Sequence, residues 1–98
     1  IKDLSSAFMG DKKKFDQPVI VKLDVNGVLQ KPGFITRKTL KELGEEDLVA
    51  VYLPHSYNFS GNVYFTKAEN IKHIPNISSG EYMKFIVSGG VTGKFTEG

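Results

Sequence analysis

Apolar side chains occupy every second position from residue 19 to residue 25, and this period of two predicts a half-buried β-strand. Asn26-Gly27 follows directly, a dipeptide that favours a two-residue hairpin turn because both of its residues tolerate positive φ. Such a turn pairs Val19 with Phe34 on the return strand. Pro32-Gly33 interrupts that strand, which predicts an edge position or a sharp bend there.

A continuous apolar run at residues 48–53 ends at Pro54 and leads into a loop of polar and aromatic residues. Such a run between turn signals predicts a buried strand with both faces covered, so we place it in the middle of a sheet. Asn58 and Gly61 are expected to set the shape of the loop; the alternative is that these residues only make a tight turn. The candidate interaction loop consists of Pro54, His55, Tyr57, Asn58, Phe59, Ser60 and Gly61.

Helical signals occur near both ends of the chain. Apolar residues at positions 1, 4 and 8 form one stripe of a short N-terminal helix. Ser78 and Glu81 have capping-box spacing and predict the start of a second helix. Gly89-Gly90 predicts its end. The polar segment 36–46 leaves two possibilities open, a single helical turn or a plain loop.

Short strands at 62–66 and 71–74 complete the predicted elements. Together they indicate a small α+β domain, in which five mostly antiparallel strands form a bent sheet or partly closed barrel. A C-terminal helix packs on it, and a short N-terminal helix precedes it. We divide the chain into a membrane-proximal helix and basic linker at 1–15, a β-rich domain at 16–90 and a flexible tail at 91–98.

Composition narrows the classes of function. The chain has 98 residues, a formal net charge of +2 and no cysteine, which fits one domain without disulfides or thiolate metal sites. Nucleic-acid binders usually carry a clustered basic face, so no nucleic acid is expected as a partner. The chain begins at Ile1 rather than Met, and we expect it to be a fragment of a longer protein.

No pattern of catalytic or metal-binding residues stands out. The two histidines are not in a zinc-binding spacing, and phosphate-binding and nucleophile-elbow sequences are absent. We therefore predict no enzyme activity, no catalytic residue, no metal and no cofactor. Two alternatives stay open: a hydrolase using the adjacent His55 and Ser56, and an oligonucleotide-type barrel that binds nucleic acid or a small ligand through its clustered aromatic residues.

Six pieces of the sequence occur together in a recognisable order. They are IKDLSSAF at 1–8, PVIV at 18–21, Gly27 with GFIT at 33–36, VAVYLP at 49–54, Asn58 with Ser60-Gly61, and MKFIVSGGV at 83–91. In this order they resemble an uncharacterised membrane-protein family, domain of unknown function number 502, which includes bacterial proteins and the plant LIKE-COV proteins.

The resemblance implies two transmembrane helices before Ile1, with this chain as the extramembrane domain on the cytoplasmic face. The basic run Lys12–Lys14 agrees with that orientation. The expected function is a non-catalytic interaction or assembly domain of an integral membrane protein. Its expected partners are the membrane, through the preceding helices, and a second copy of the chain or another protein.

Overall fold

The computed structural model describes residues 15–58 and 60–95. The predicted helix over residues 1–8, the Lys12–Lys14 run and Phe59 of the candidate loop lie outside the described residues. The five strands are β1 (Pro18–Lys22), β2 (Gln30–Arg37), β3 (Leu48–Pro54), β4 (Gly61–Lys67) and β5 (Ile71–His73). One α-helix, α1 (Ser79–Val87), follows the strands, and 3₁₀ turns lie at Lys41–Leu43 and Ala68–Asn70.

The strands form one sheet in the order β4-β3-β2-β1-β5, and every neighbouring pair is antiparallel. Three residues, Ala68–Asn70, join the two edge strands. The Cα atoms of the flanking residues, Lys67 and Ile71, therefore lie at most about 15 Å apart. A flat five-stranded sheet would separate its outermost strands by about 19 Å. The sheet must therefore curl, which confirms the predicted α+β fold with a bent sheet. β4 and β5 are not paired, so the sheet is open rather than a barrel.

Apolar residues on the two faces of the sheet form two clusters. The inner cluster consists of Val19, Val21, Ile35, Val51 and Leu53, with Val49 and Ile71 packed against it. Because Val49 of β3 and Ile71 of the distant edge strand reach the same cluster, this face is the concave one. The outer cluster consists of Phe34, Tyr82, Met83 and Ile86. Helix α1 supplies three of its residues and covers the convex face.

The β1–β2 hairpin differs from its prediction. Leu23 N–H donates to Leu29 O at 2.9 Å, so the turn spans the five residues between them, and Val25 is fully exposed. The Asp24 carboxylate accepts from Val28 N–H at 2.9 Å and stabilises this longer turn. Val19 consequently lies opposite Gly33, one position from the predicted partner. The predicted two-residue turn at Asn26-Gly27 was wrong because a side chain closes the loop.

The one-residue shift decides which face of the sheet Phe34 occupies. Side chains alternate along a strand, so a slip by one residue moves every side chain of that strand to the opposite face. With Gly33 opposite Val19, Phe34 faces outwards and packs under α1, with its ring centroid 5.5 Å from that of Tyr82. The predicted pairing would have placed the Phe34 ring in the inner cluster instead.

The interruption at Pro32-Gly33 has the edge position that was predicted for it, but only locally. β2 as a whole lies between β1 and β3 and is not an edge strand. Pro32 pairs with Ile20 of β1, but the pairing of β2 with β3 begins only at Phe34. The bulge occurs further along, between Ile35 and Arg37. Proline is accommodated because this part of β2 has no ladder partner on its β3 side.

The predicted buried strand is confirmed. β3 is hydrogen-bonded to β2 on one side and to β4 on the other. Ala50, Val51, Leu53 and Pro54 are buried, and the other three residues of the strand are half-buried. Because the strand is paired along both edges, it fixes the orientation of the loop that follows it.

Helix α1 begins and ends where the sequence predicts. The Ser78 side chain accepts from Glu81 N–H at 3.3 Å, the N-cap bond of the predicted capping box. At the other end Gly90 N–H donates to Phe85 O at 2.7 Å, and Gly89 N–H donates to Ile86 O at 3.0 Å. These two bonds form a Schellman motif, which requires the positive φ of Gly89, 74°.

In the 36–46 segment, one 3₁₀ turn forms at Lys41–Leu43. Gly44 ends the turn with a φ of 82°, as its position predicts. Leu40 is the N-cap of this turn, and no side chain makes a cap bond there. Glu42 lies 3.6 Å from the Arg37 guanidinium instead.

Candidate functional site: the β3–β4 hairpin

The candidate loop is the connection of the β3–β4 hairpin. His55 N–H donates to Ser60 O at 2.9 Å and closes the loop at its base. The His55 ring Nδ1 lies 2.9 Å from Ser60 Oγ, and its Nε2 lies 3.2 Å from Asn62 Nδ2. The two ring nitrogens thus have the Ser60 hydroxyl and the Asn62 side-chain amide as their hydrogen-bond partners. Both ring nitrogens therefore stabilise the hairpin.

The tip of the loop is anchored to the C-terminal end of α1. Ser56 Oγ donates to Ile86 O at 2.9 Å, and Tyr57 N–H donates to Val87 O at 2.6 Å. These carbonyls belong to the last turn of the helix, which lacks the usual helical donors; Ile86 O also accepts from Gly89 N–H of the C-terminal cap. The loop thus caps the helix, and the helix in turn fixes the loop against the sheet.

The shape of the loop depends on the predicted Gly61 and on Tyr57, which was not predicted. The positive φ, 53°, lies at Tyr57 rather than at the predicted Asn58. Gly61 acts through close packing, because a Cβ there would lie 2.7 Å from the Tyr52 hydroxyl oxygen and 2.8 Å from Leu53 O. Burial against this part of the hairpin raises the pKa of Tyr52. Gly61 therefore lets the Tyr52 ring cross the base of the loop.

The geometry offers little to the hydrolase alternative. The Ser56 hydroxyl donates to the helix and not to the neighbouring His55. Ser60 Oγ lies within hydrogen-bond distance of the ring, but the other ring nitrogen faces the Asn62 amide and not the carboxylate that orients the histidine of a catalytic triad. Within the ranges 15–58 and 60–95, no group of three histidine, aspartate or glutamate side chains is placed to hold a metal ion.

The hairpin exposes large apolar side chains on both faces of β4. Tyr57 at the tip is 78% exposed, and Val63, Tyr64 and Phe65 are 59%, 48% and 48% exposed. Tyr64 lies opposite Val51 on the inner face of the sheet, whereas its two neighbours point outwards. Val63 and Phe65 lie beside the exposed Leu43 and line a shallow cavity of about 250 Å³ with it. We call strand β4, with its exposed side chains Val63, Tyr64 and Phe65, the β4 edge.

A second, larger cavity lies on the same outer face, towards the other edge of the sheet, between β1, β2, α1 and the residues that follow β5. Its volume is about 520 Å³, within the range of small-molecule sites. None of the residues that line it is charged: they are Ile20, Gln30, Pro32, Ile74, Pro75, Asn76, Ile77, Tyr82, Phe85 and Phe95. Sequence reasoning missed this cavity because its walls come from five separate parts of the chain.

Two interactions shape the walls of that cavity. The buried Tyr82 hydroxyl donates to Val19 O at 2.7 Å, and burial raises the pKa of Tyr82 to about 12. The tail is held by Lys94 N–H, which donates to the Glu81 carboxylate at 2.7 Å. Bonds from the Lys94 backbone and the Lys84 ammonium hold the pKa of Glu81 below its usual range. Phe95 then packs edge-on against Phe85, at 5.1 Å between ring centroids.

The fold and the hairpin define a small α+β domain with an open, curled antiparallel sheet and one covering helix. No helix in the described part of the chain combines the length and the apolarity needed to cross a membrane. The chain belongs to the family described as "Protein of unknown function (DUF502)", whose model matches residues 1–61. The resemblance noted from the sequence is thereby confirmed.

A curated relative supports the same assignment. Over 62 residues the chain is 39% identical to "Protein LIKE COV 2" of Arabidopsis thaliana. The match covers 61% of this chain but only 23% of that protein. No solved structure matches the chain. The family match reaches from residue 1 through β3 and the loop to Gly61, the first residue of β4.

Proposed function

We propose that this chain is a non-catalytic interaction and assembly domain of an integral membrane protein, and that the β3–β4 hairpin is its contact surface. The observation that carries the proposal is the exposure of Tyr57 and of three consecutive apolar residues, 63–65, on one hairpin. Large exposed apolar side chains that are grouped rather than scattered commonly mark a binding surface for another protein. Aromatic residues are enriched at such surfaces.

The anchoring of the hairpin also favours this role. A contact surface binds more tightly when little conformational entropy is lost on binding. Here the bonds from Ser56 and Tyr57 to the helix end hold the tip in place before any partner arrives. The pairing of β4 with β3 is unbroken over seven residues, and it holds strand β4 in place in the same way.

The membrane part of the proposal rests on the family. We place two transmembrane helices before residue 1 and the described domain on the cytoplasmic face, as the resemblance implies. The basic run Lys12–Lys14 fits that side of the membrane. LIKE COV 2 is about four times as long as the matched segment, which leaves room for such helices in a relative.

Photo-crosslinking in the full-length protein tests both parts. A photoreactive phenylalanine replaces Tyr57 or Val63, and the matched control replaces Val28, which is 81% exposed on the β1–β2 turn. We expect the full-length protein to stay with membranes after alkaline carbonate washing, and we expect protein adducts from positions 57 and 63 but not from position 28. Equal yields at all three positions would refute the contact surface, and release by carbonate would refute the membrane assignment.

A second candidate function, binding of a small neutral apolar ligand, is favoured by the 520 Å³ cavity and its uncharged walls. The probe is 1-decanol, and decanoate is the charged control. We expect 1-decanol to shift the ring resonances of Phe85 and Phe95 at concentrations at least tenfold lower than decanoate requires, because the cavity offers no cation. Ile74→Trp should fill the cavity and abolish the shifts. Equal responses to both probes would exclude a site of this chemistry.

A further inference from the structure

We propose that the partner of the β4 edge is a second copy of this chain, bound antiparallel, strand β4 against strand β4. This inference rests on the proposed function and names the partner of the same surface. Among residues 15–58 and 60–95, β4 forms its ladder only with β3. The outward row of its backbone donors and acceptors is therefore available for a further strand.

The two edges of the sheet differ in how they are protected. β5 has only three residues, and the charged Lys72 is at its centre. β4 has seven residues in continuous register with β3, without proline and without a bulge. Soluble proteins usually block a long edge strand with proline, charge or a bulge. Within residues 15–58 and 60–95 one edge of the sheet is protected and the other is open, which favours β4 as a surface for strand addition.

The sequence of β4 is compatible with pairing to itself. A two-fold axis at Tyr64 places Val63 opposite Phe65 of the second copy, so that apolar side chains meet on the outer face. Asn62 then lies opposite Thr66, and Gly61 lies opposite Lys67, the only charged residue of the strand. Such an arrangement is closed, because each copy uses the same surface once.

Charge selects the antiparallel arrangement over a parallel one. In the antiparallel pair the two Lys67 side chains are six residues apart along the strand direction, about 20 Å, which is beyond the screening length of about 8 Å at physiological salt. A parallel in-register pair would bring the two ammonium groups next to each other, and like charges on adjacent strands destabilise a sheet. In the antiparallel orientation neither Lys67 side chain lies next to a like charge of the second copy.

Cysteine trapping tests the register directly, because the chain has no native cysteine. Opposed Cβ atoms in an antiparallel pair lie about 4.5–5.5 Å apart, close to the disulfide range. Tyr64→Cys should therefore form a disulfide dimer at least tenfold faster than Val25→Cys, a fully exposed control on the β1–β2 turn. Val63→Cys should be slower than Tyr64→Cys, because position 63 of the second copy is offset by two residues. Equal rates at 64 and 25, or fastest trapping at 63, would overturn the proposal.

Sedimentation of the unmodified chain gives an independent test. We expect a shift from monomer towards dimer as the concentration rises from about 10 to several hundred μM, since one strand pair is a small interface. Tyr64→Lys should remain monomeric over this range, whereas the control Val28→Lys should behave as the parent. Far-UV circular dichroism identifies any variant that has lost its fold. A parent that stays monomeric throughout would overturn the proposal.

The two proposals fail in distinguishable ways. If Tyr64→Cys is not trapped but the photo-crosslinker at Val63 yields a heterologous adduct in membranes, the pairing of two copies is refuted and the interaction role survives. If neither the disulfide nor any adduct forms, both proposals are refuted. If the disulfide forms rapidly and the adduct at Val63 contains only this chain, both are supported.

Discussion

Gly33 provides the sharpest test of the packing between the two central strands. It is buried in β2 and faces β3 at close range. A Cβ added there would lie 2.5 Å from Leu53 Cδ2 and 2.6 Å from Tyr52 O. Ordinary contacts of a Cβ begin at 3.4 Å, so Gly33→Ala requires a movement of nearly 1 Å. The Leu53 side chain is fully buried, and the Tyr52 oxygen belongs to the backbone, so neither atom can easily move.

The expected cost of Gly33→Ala is about 3–4 kcal/mol. Overpacking a core by one methyl group costs about 1–3 kcal/mol. Separating β2 from β3 here also weakens the adjacent ladder hydrogen bonds, each of which contributes about 1 kcal/mol. Domains of this size are stable by only about 5–15 kcal/mol. The variant should therefore unfold at a much lower urea concentration than the parent.

Equilibrium urea unfolding, followed by far-UV circular dichroism, measures this cost. Gly80→Ala is the matched control, because a Cβ at that helical position meets only Ser78 Oγ, at 3.7 Å. The control should be neutral or more stable by up to about 1 kcal/mol. A Gly33→Ala variant within about 0.5 kcal/mol of the parent would refute the close approach of the strands.

A double variant separates the two clashes at Gly33. Leu53→Ala alone should cost about 2–5 kcal/mol, because it leaves a cavity in the inner cluster. In Gly33→Ala/Leu53→Ala the side-chain clash is absent but the clash with Tyr52 O remains. The combined cost should therefore be smaller than the sum of the single costs by about 1 kcal/mol or more. If the cost of the double variant equals the sum of the two single costs, the clash with the Tyr52 backbone oxygen alone accounts for the cost of Gly33→Ala.

Three further predictions concern α1 and its contacts. Because burial raises the pKa of Tyr82 to about 12, the contribution of the neutral Tyr82 to stability is present below pH 10 and is lost as the pH rises towards 12. In urea unfolding at pH 8 and 11.5, Tyr82→Phe should abolish this alkaline loss. A loss that is unchanged in the variant would contradict the raised pKa of Tyr82. Because the pKa of Glu81 is lowered, its bond to the tail is present above pH 4.5 and lost on further acidification. The hydrogen-exchange protection factor of the Lys94 amide should fall in acid in the parent and be low at every pH in Glu81→Ala, which has no acceptor at this position; protection of Lys94 in that variant would contradict the bond. Ser78→Ala should cost about 1 kcal/mol in urea unfolding through loss of the N-cap, and no change would show that the cap contributes nothing.

The sequence was sufficient to predict where the candidate site lies, but not which hydrogen bonds shape it. A buried strand followed by Pro54 and a polar loop is sufficient to place an exposed loop at the end of β3. The bonds that shape the loop involve Ile86 and Val87 on α1, about 30 residues further along the chain. No sequence pattern near the loop indicates that these distant carbonyls are its hydrogen-bond partners. Three consecutive apolar residues at 63–65 were a usable signal for the β4 edge, because alternating side chains place at least one of them outside any one-sided core.

Local patterns in the chain were sufficient to predict helix α1, the strands and the family. Ser78, Glu81, Gly89 and Gly90 specify the ends of α1 because their bonds link residues at most five positions apart. The register of β1 on β2, the face that Phe34 occupies, the curl of the sheet and the cavity against α1 were not predictable in this way. The physical reason is that each of these depends on distances between distant segments. A single carboxylate, Asp24, was sufficient to lengthen a turn, and the face of a whole strand changed with it.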